Sequence, residues 1–292
     1  MNSISNRWLF WGPTLIWAST WHVILFQLGT VPVLNSVAWR FGLAAALLAL
    51  VALWRRESLR LPVSAHWVML AGGIVQYCGN YWSVYEAERY IPSGLVAVLF
   101  CLLVYGNALM GRVFFGQKVS RRFLLASSGG VLGVVLIFWP EIASTGARPS
   151  AVYGMAVGVA GVAASCIGGV LTLVLTRRGL PLVPVLAWSM GYGSLFMVGL
   201  SLATGLGLHF DGHAPYVLSL LYLSVFGSVI AFVLYFSLAQ RQGPARAALT
   251  GVVIPVMALG ISAALEGWQP TGLSVAGMAL CLGSIYVATR PA

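Results

Sequence analysis

Charge is the scarcest component of this chain. Only 8% of its 292 residues are charged, against about a quarter in an average soluble domain, so a globule folded in water is excluded. Acids are scarcest of all, with six Asp and Glu in total. No carboxylate falls deep inside an apolar run, which argues against an enzyme working by paired carboxylates or by a nucleophile with a base. The four cysteines, Cys78, Cys101, Cys166 and Cys281, each sit in a different apolar run and read as reduced packing residues. His209, Asp211 and His213 are metal-ligand types in one short loop without a further ligand beside them, so no metal is expected. No Gly-rich nucleotide loop with Lys is present, and no cofactor is called for.

What the chain has is apolar length. Sixty per cent of the residues are hydrophobic and the mean hydropathy is +0.92. A membrane-crossing helix needs about 20 mostly apolar residues, whereas an outer-membrane barrel shows short alternating segments. The continuous runs here fit the first pattern. Windows place ten spans at roughly 8–28, 34–54, 66–86, 93–111, 123–139, 152–176, 183–205, 216–239, 245–265 and 271–289. The first is read as a retained span, because no small-residue cleavage site follows it.

Sorting the loops alternately puts thirteen of the sixteen Lys and Arg on one side, from Arg7 and the Arg55–Arg60 cluster to Arg290. Arg89 and Arg148 lie on the other side and Arg40 within the second span. By the positive-inside rule both termini are cytoplasmic, in a bacterial inner membrane. The basic excess therefore reads as topology, with the bilayer as partner and nucleic acid excluded. Glu86, Glu88, Glu141, Asp211 and Glu266 fall on the outer side, near span ends or in loops.

An internal repeat divides the chain. Phe114-Phe115-Gly116-Gln117-Lys118-Val119-Ser120 and the following Gly129, Gly130 and Gly133 match Leu265-Glu266-Gly267-Trp268-Gln269-Pro270 and the following Gly272 and Gly277. Two halves, 1–140 and 150–292, would each hold five spans. Because five is odd, the second half enters from the opposite face. The expected fold is thus an all-α membrane protein of ten transmembrane helices, two inverted five-helix repeats around a central cavity.

These features resemble the drug/metabolite transporter superfamily, in its ten-span EamA-type members. The resemblance rests on Trp39-Arg40-Phe41-Gly42-Leu43-Ala44-Ala45-Ala46, on Ala71-Gly72-Gly73, on the stretch from Leu221 to Ala245, and on Pro255 followed by Glu266. Gln117 stands where the family usually has Glu, and the fourth span has no proline. Aromatic-rich spans 1 and 3 look most like the YddG-type amino-acid exporters. The resemblance implies efflux of small metabolites, bulky or aromatic amino acids first, with related metabolites or flat organic cations as the alternative, and the two repeats would work by alternating access without ATP. It implies no enzyme activity and a small-molecule substrate, and it is compatible with a monomer. A membrane scaffold without transport of its own would instead have a dry core.

Polar groups inside spans mark candidate contacts. Gln76, Asn80 and Ser83 share a helical face flanked by Tyr77 and Tyr81, fit either to line a wet cavity or to glue helices together. Trp17 with Trp21, Trp188 with Tyr192, and Ser228 with Phe232 are four apart, so each pair shows one face, for cavity or for packing. Pro255 should kink the ninth span as a hinge or a bland bend, and Thr250 precedes it by about one turn. Arg40 is expected to snorkel outward to an acid such as Glu86 or Glu266. His22 is the one histidine inside a span, either a packing residue or a proton carrier.

Overall fold

The computed structural model describes residues 5–116, 121–144, 148–242, 247 and 250–289. Among them every element is helical, in ten runs. They are α1 (Asn6–Gln27), α2 (Val33–Trp54), α3 (Val63–Gly72, Gly73–Asn80 and Tyr81–Glu88 joined without a break), α4 (Ser93–Phe115) and α5 (Arg121–Ser144). After these come α6 (Pro149–Arg177), α7 (Leu182–Ala203), α8 (Ala214–Gln242), α9 (Thr250–Leu265) and α10 (Gly272–Thr289). Six of them, α1, α2, α4, α6, α7 and α8, are long and apolar enough to cross a membrane. Shorter apolar stretches, Ser128–Ile137, Val253–Leu265 and Gly272–Ser284, lie in α5, α9 and α10. The polar run Gln76, Asn80, Ser83, Glu86 and Glu88 sets α3 apart. Residues 117–120 of the repeated motif, 243–245 of the family stretch and Arg246 lie outside the described residues.

Proline starts these helices and glycine ends them. Pro32, Pro62, Pro92 and Pro181 stand immediately before α2, α3, α4 and α7, and Pro149 and Pro215 lie in the first turns of α6 and α8. A first-turn N–H has no helical partner, so the residue that lacks one costs nothing there. At the other end, Gly179 (φ 85°) follows α6 and Gly205 (φ 73°) follows α7. Each left-handed glycine folds the chain back so that the next N–H reaches the helix end: Leu180 to Leu175 O at 3.4 Å and Leu206 to Ser201 O at 3.0 Å.

Two runs carry a π-helical segment, in which N–H groups reach one residue further back than in an α-helix. They are Gly73–Asn80 in α3 and Leu223–Ile230 in α8. The helix contacts come in matching pairs. α2 packs on α7 and α5 on α10; α3 crosses α7 as α8 crosses α2; α1 meets α9 as α6 meets α4; and α1 meets α8 as α6 meets α3. Each pair maps onto its counterpart by adding or subtracting five in helix order.

The α5–α10 contact is glycine-lined. A Cβ on Gly133 would sit 2.7 Å from Gly277 O, and one on Gly277 would sit 2.6 Å from Gly133 O. Backbones can approach that closely only where neither residue has a side chain.

The two ends of the bundle are held differently. One gathers His22, Glu266 and Ser93, together with Gln27 bonded to Tyr216 O at 2.8 Å and Asn35 bonded to Gly207 O at 3.0 Å. At the other, Leu9 packs with Leu238, Ala239 and Ala247, and Trp188 Nε1 donates to Leu59 O at 2.9 Å.

Candidate functional site

Between these ends lies a cavity with room for water-sized centres of about 150 Å³, roughly ten times what one water needs. α1 contributes Trp17, Thr20, Trp21 and Ile24, and α3 contributes Gln76, Asn80, Tyr81 and Val84. Phe100 and Asn107 enter from α4, Ser165 from α6, Phe232, Tyr235 and Phe236 from α8, and Thr250, Ile254 and Pro255 from α9. The walls thus come from both halves of the chain.

Aromatic rings make much of the wall. Trp17 meets Phe232 edge-on at 5.3 Å and Tyr235 at 5.2 Å, while Trp21 meets Phe100 at 5.0 Å. The Trp17 indole is fixed by its N–H, which donates to Gly227 O at 3.1 Å inside the π-helical segment of α8. Polar residues border the cavity as well. Gln76 Oε1, Asn80 Oδ1 and Trp21 Nε1 are buried without a hydrogen-bond partner, and Gln76 Nε2 makes one long bond of 3.4 Å to Ser165 Oγ. Buried polar groups are normally satisfied; these three atoms are both unpaired and enclosed, on residues that border the cavity. Pro255 has no N–H for the carbonyl of Gly251, and both residues border the same space.

The candidate residues from the sequence fall into two groups. Trp17, Gln76, Asn80, Tyr81, Thr250 and Pro255 are brought together around the cavity. The Thr250 hydroxyl is turned back on its own helix, donating to Ala247 O at 2.7 Å. Tyr77, Trp188, Tyr192 and Ser228 stand outside its lining. Tyr77 is 1% exposed, wedged between Phe41 at 5.0 Å and Phe232 at 5.4 Å, with its hydroxyl unpaired. Trp188 and Tyr192 stack on each other at 5.5 Å near the start of α3, where the Tyr192 hydroxyl pairs with His66 Nδ1 at 2.8 Å. Ser228 is fully buried and accepts from Arg40 Nε at 3.0 Å.

Arg40 departs from expectation. It does not snorkel: it is 1% exposed, its Nη1 donates to the Tyr85 hydroxyl at 3.3 Å, and its guanidinium lies 4.6 Å from the centre of the Tyr81 ring. The ring face and two hydroxyls stand in for water and for a carboxylate. Glu88 lies at a span end as expected, in the last turn of α3, but is enclosed there, 6% exposed. His22 is paired, with Nδ1 3.0 Å from Glu266 Oε1.

Glu266 is the hub of its end. It accepts from the Ser93 N–H at 3.2 Å, from the Ser93 hydroxyl, and from Ser262 Oγ at 2.9 Å, besides meeting His22. Burial by itself would raise this carboxyl, but the donors from Ser93, His22 and Ser262 outweigh it and hold it below its ordinary value. In the exposed loop before α8, the backbone and side chain of His213 hold Asp211 below its ordinary value.

The sequence reading missed Phe100, Asn107, Ser165 and Tyr235. For Tyr235 and Phe236 a signal was present: with Phe232 they form an i, i+3, i+4 aromatic stripe.

The sequence pattern of the EamA-like transporter family matches residues 7–139 and 152–290. PagO of Salmonella typhimurium is 23% identical over 92% of this chain and 87% of its own length. A protein of the same organism described as a probable amino-acid metabolite efflux pump is 22% identical over 94% of this chain and 91% of its own. A crystal structure with 19% sequence identity superposes with a TM-score of 0.72, covering 97% of this chain and 96% of the other.

Proposed function

The chain belongs to the EamA-like transporter family, a multi-pass membrane protein by its helices, and on that premise we propose that it exports amino acids, bulky and aromatic ones foremost, by alternating access without ATP. The cavity carries this reading. An amino acid has an apolar side chain for the Trp17, Phe232 and Tyr235 rings, and an ammonium and a carboxylate for the amide and hydroxyl side chains of Gln76, Asn80, Asn107 and Ser165 that border the cavity.

Two five-helix repeats, 1–140 and 150–292, inverted relative to each other, are the moving parts of this reading. The separate family matches to each half, the contacts that recur five helices apart and the π-helical segments in both α3 and α8 support it. Inverted repeats place a solute midway between their ends. Both termini face the cytoplasm of a bacterial cell in this reading, as the basic loops argue.

Counterflow in proteoliposomes tests it. Vesicles preloaded with unlabelled L-phenylalanine should accumulate labelled phenylalanine, tryptophan and leucine transiently, but not glucose or tetraphenylphosphonium. Tyr81→Ala should lower the rate about tenfold, the scale of one lost aromatic contact, at an unchanged level of folded protein. Saturable exchange of glucose or of the cation, without amino-acid exchange, would refute the assignment.

A further inference from the structure

Among the described side chains, Glu88 is the one acid with neither a hydrogen bond nor an ion pair. Both its carboxyl oxygens are buried and neither has a hydrogen-bond partner. The ion pairs among the described residues leave it out, His22 going to Glu266, Arg55 to Glu57, Arg89 to Glu86 and His213 to Asp211. A carboxylate taken out of water without a hydrogen bond to satisfy it is strongly disfavoured against the neutral acid.

The charged and titratable groups around it come from every neighbouring helix. α2 sends Arg40, whose donors go to Ser228 and Tyr85. α3 itself has Tyr85, and Glu86 engaged with Arg89 and Tyr90. The segment after α9 brings Glu266, the strongest charge acting on Glu88 after burial, and α1 brings His22 through it. α4 offers Ser93, bound to Glu266, and α6 offers Tyr153, packed on Tyr90 at 5.1 Å. A carboxylate at Glu88 would therefore face a second carboxylate, with the Arg40 guanidinium attracting it more weakly than burial and Glu266 oppose it and making no hydrogen bond to it. A metal ion does not suit the place, since no group of three or more His, Cys, Asp or Glu that could hold one occurs among the described residues.

Position gives the group its meaning. Glu88 lies one turn beyond Val84, which borders the cavity, at the end that Glu266 ties shut across His22 and Ser93. We propose that Glu88 is a proton-binding site and that binding a proton there is what lets this end of the cavity close. The inference rests on the reading that the cavity opens alternately at its two ends. With that end open, water solvates the carboxylate; with it shut, as here, the group carries the proton as a neutral acid, and reopening returns the proton to water. One proton is bound per closure and one released per opening, so pH sets the balance between the two states.

Closure can be followed without any solute. In protein whose four native cysteines are replaced by serine, Ile24→Cys reports the cavity side of the closed end and Gly212→Cys, in an exposed loop, corrects for the pH dependence of thiol reactivity. The ratio of their labelling by an impermeant thiol reagent should rise about tenfold per pH unit through the transition, the slope of one proton. Glu88→Gln, a permanent mimic of the neutral acid, should keep the ratio low and flat, whereas His22→Gln should keep the wild-type slope. In parallel, dicyclohexylcarbodiimide, which modifies protonated carboxyls in apolar surroundings, should label wild-type Glu88 at acid pH and lose it as pH rises, read by peptide mass.

A wild-type Glu88 that resists the carbodiimide at every pH, or a slope that survives Glu88→Gln, overturns the proposal, as does a slope lost with His22 instead. PH-dependent carbodiimide labelling without any opening at Ile24 would support the proton site and refute alternating access. Amino acids failing to exchange while the slope stands would refute the exporter reading alone.

Discussion

α3 and α8 are built alike and used differently. Each interrupts its α-helix with an eight-residue π-helical segment, Gly73–Asn80 and Leu223–Ile230, and each crosses a helix of the other half there. At the α3–α7 crossing the two backbones touch: a Cβ on Gly73 would collide with Ser189 O and lie 3.0 Å from Gly193 N. At the α8–α2 crossing a Cβ on Gly227 would meet side chains, Thr20 Cγ2 at 2.9 Å and Arg40 Nη2 at 3.1 Å. One crossing is locked by main chain; the other is padded by an arginine. The polar groups follow the same division. Three in α3 (Gln76 Oε1, Tyr77 Oη and Asn80 Oδ1) are idle against one in the α8 segment, Ser224 Oγ, while in α8 Ser228 and Gly227 O serve Arg40 and Trp17. The two helices thus share the same interruption, while more of the polar groups are left unpaired in α3 and more are engaged in α8.

The comparison breaks most sharply at the glycines. Gly73→Ala must push backbone from backbone and should cost about 3 kcal/mol, whereas Gly227→Ala needs only side-chain shifts and should cost about 1 kcal/mol; thermal unfolding in detergent measures both. Equal losses would show the two crossings to be equivalent.

A hydroxyl pair sharpens it on a smaller scale. Ser228→Ala strips Arg40 Nε of its acceptor and should destabilise by about 2 kcal/mol, while Tyr77→Phe removes an unpaired buried hydroxyl and should be neutral or stabilise by up to about 1 kcal/mol. Opposite signs in the same unfolding assay check the contrast between engaged and idle groups.

The smallest effect is one of pH. Glu266 is held below its ordinary value, so its contribution is complete above the unfolded carboxyl range and fades as pH falls through the lower folded value. Acidification through and below about pH 4 should lower the melting temperature of the wild type by roughly a few degrees more than that of Glu266→Gln. Identical acid sensitivity would remove Glu266 as a tie between the halves.

Much of the frame was legible from apolar run length and from proline and glycine at the run ends, because those signals are local. The ten windows fall on the ten helical runs within a few residues, with α3 running from Val63 to Glu88 where 66–86 was expected. The site was legible only in part. Helical spacing grouped Gln76, Asn80 and Tyr81 with Tyr77, but the π-helical segment widens the turn in that stretch and Tyr77 packs on Phe41 instead. Trp188 and Tyr192 do share a face, but it looks toward His66 and Leu59. Spacing along one helix says which side chains go together and not which neighbour they meet. Glu88 and Arg40 were misread for a related reason. Nearness to a span end suggests access to water, and only the surrounding helices reveal that both are enclosed.

The glycine contact between α5 and α10 has a practical consequence. Two helices whose main chains meet at Gly133 and Gly277 have no slack to slide and must travel as one piece. In the alternating-access motion proposed above they form one body, a common reference for the displacement of the other helices. Their outward residues Val131 and Val275 are half exposed and so accept a spin label or fluorophore as the reference partner, with the second probe on α1 or α3 recording the stroke.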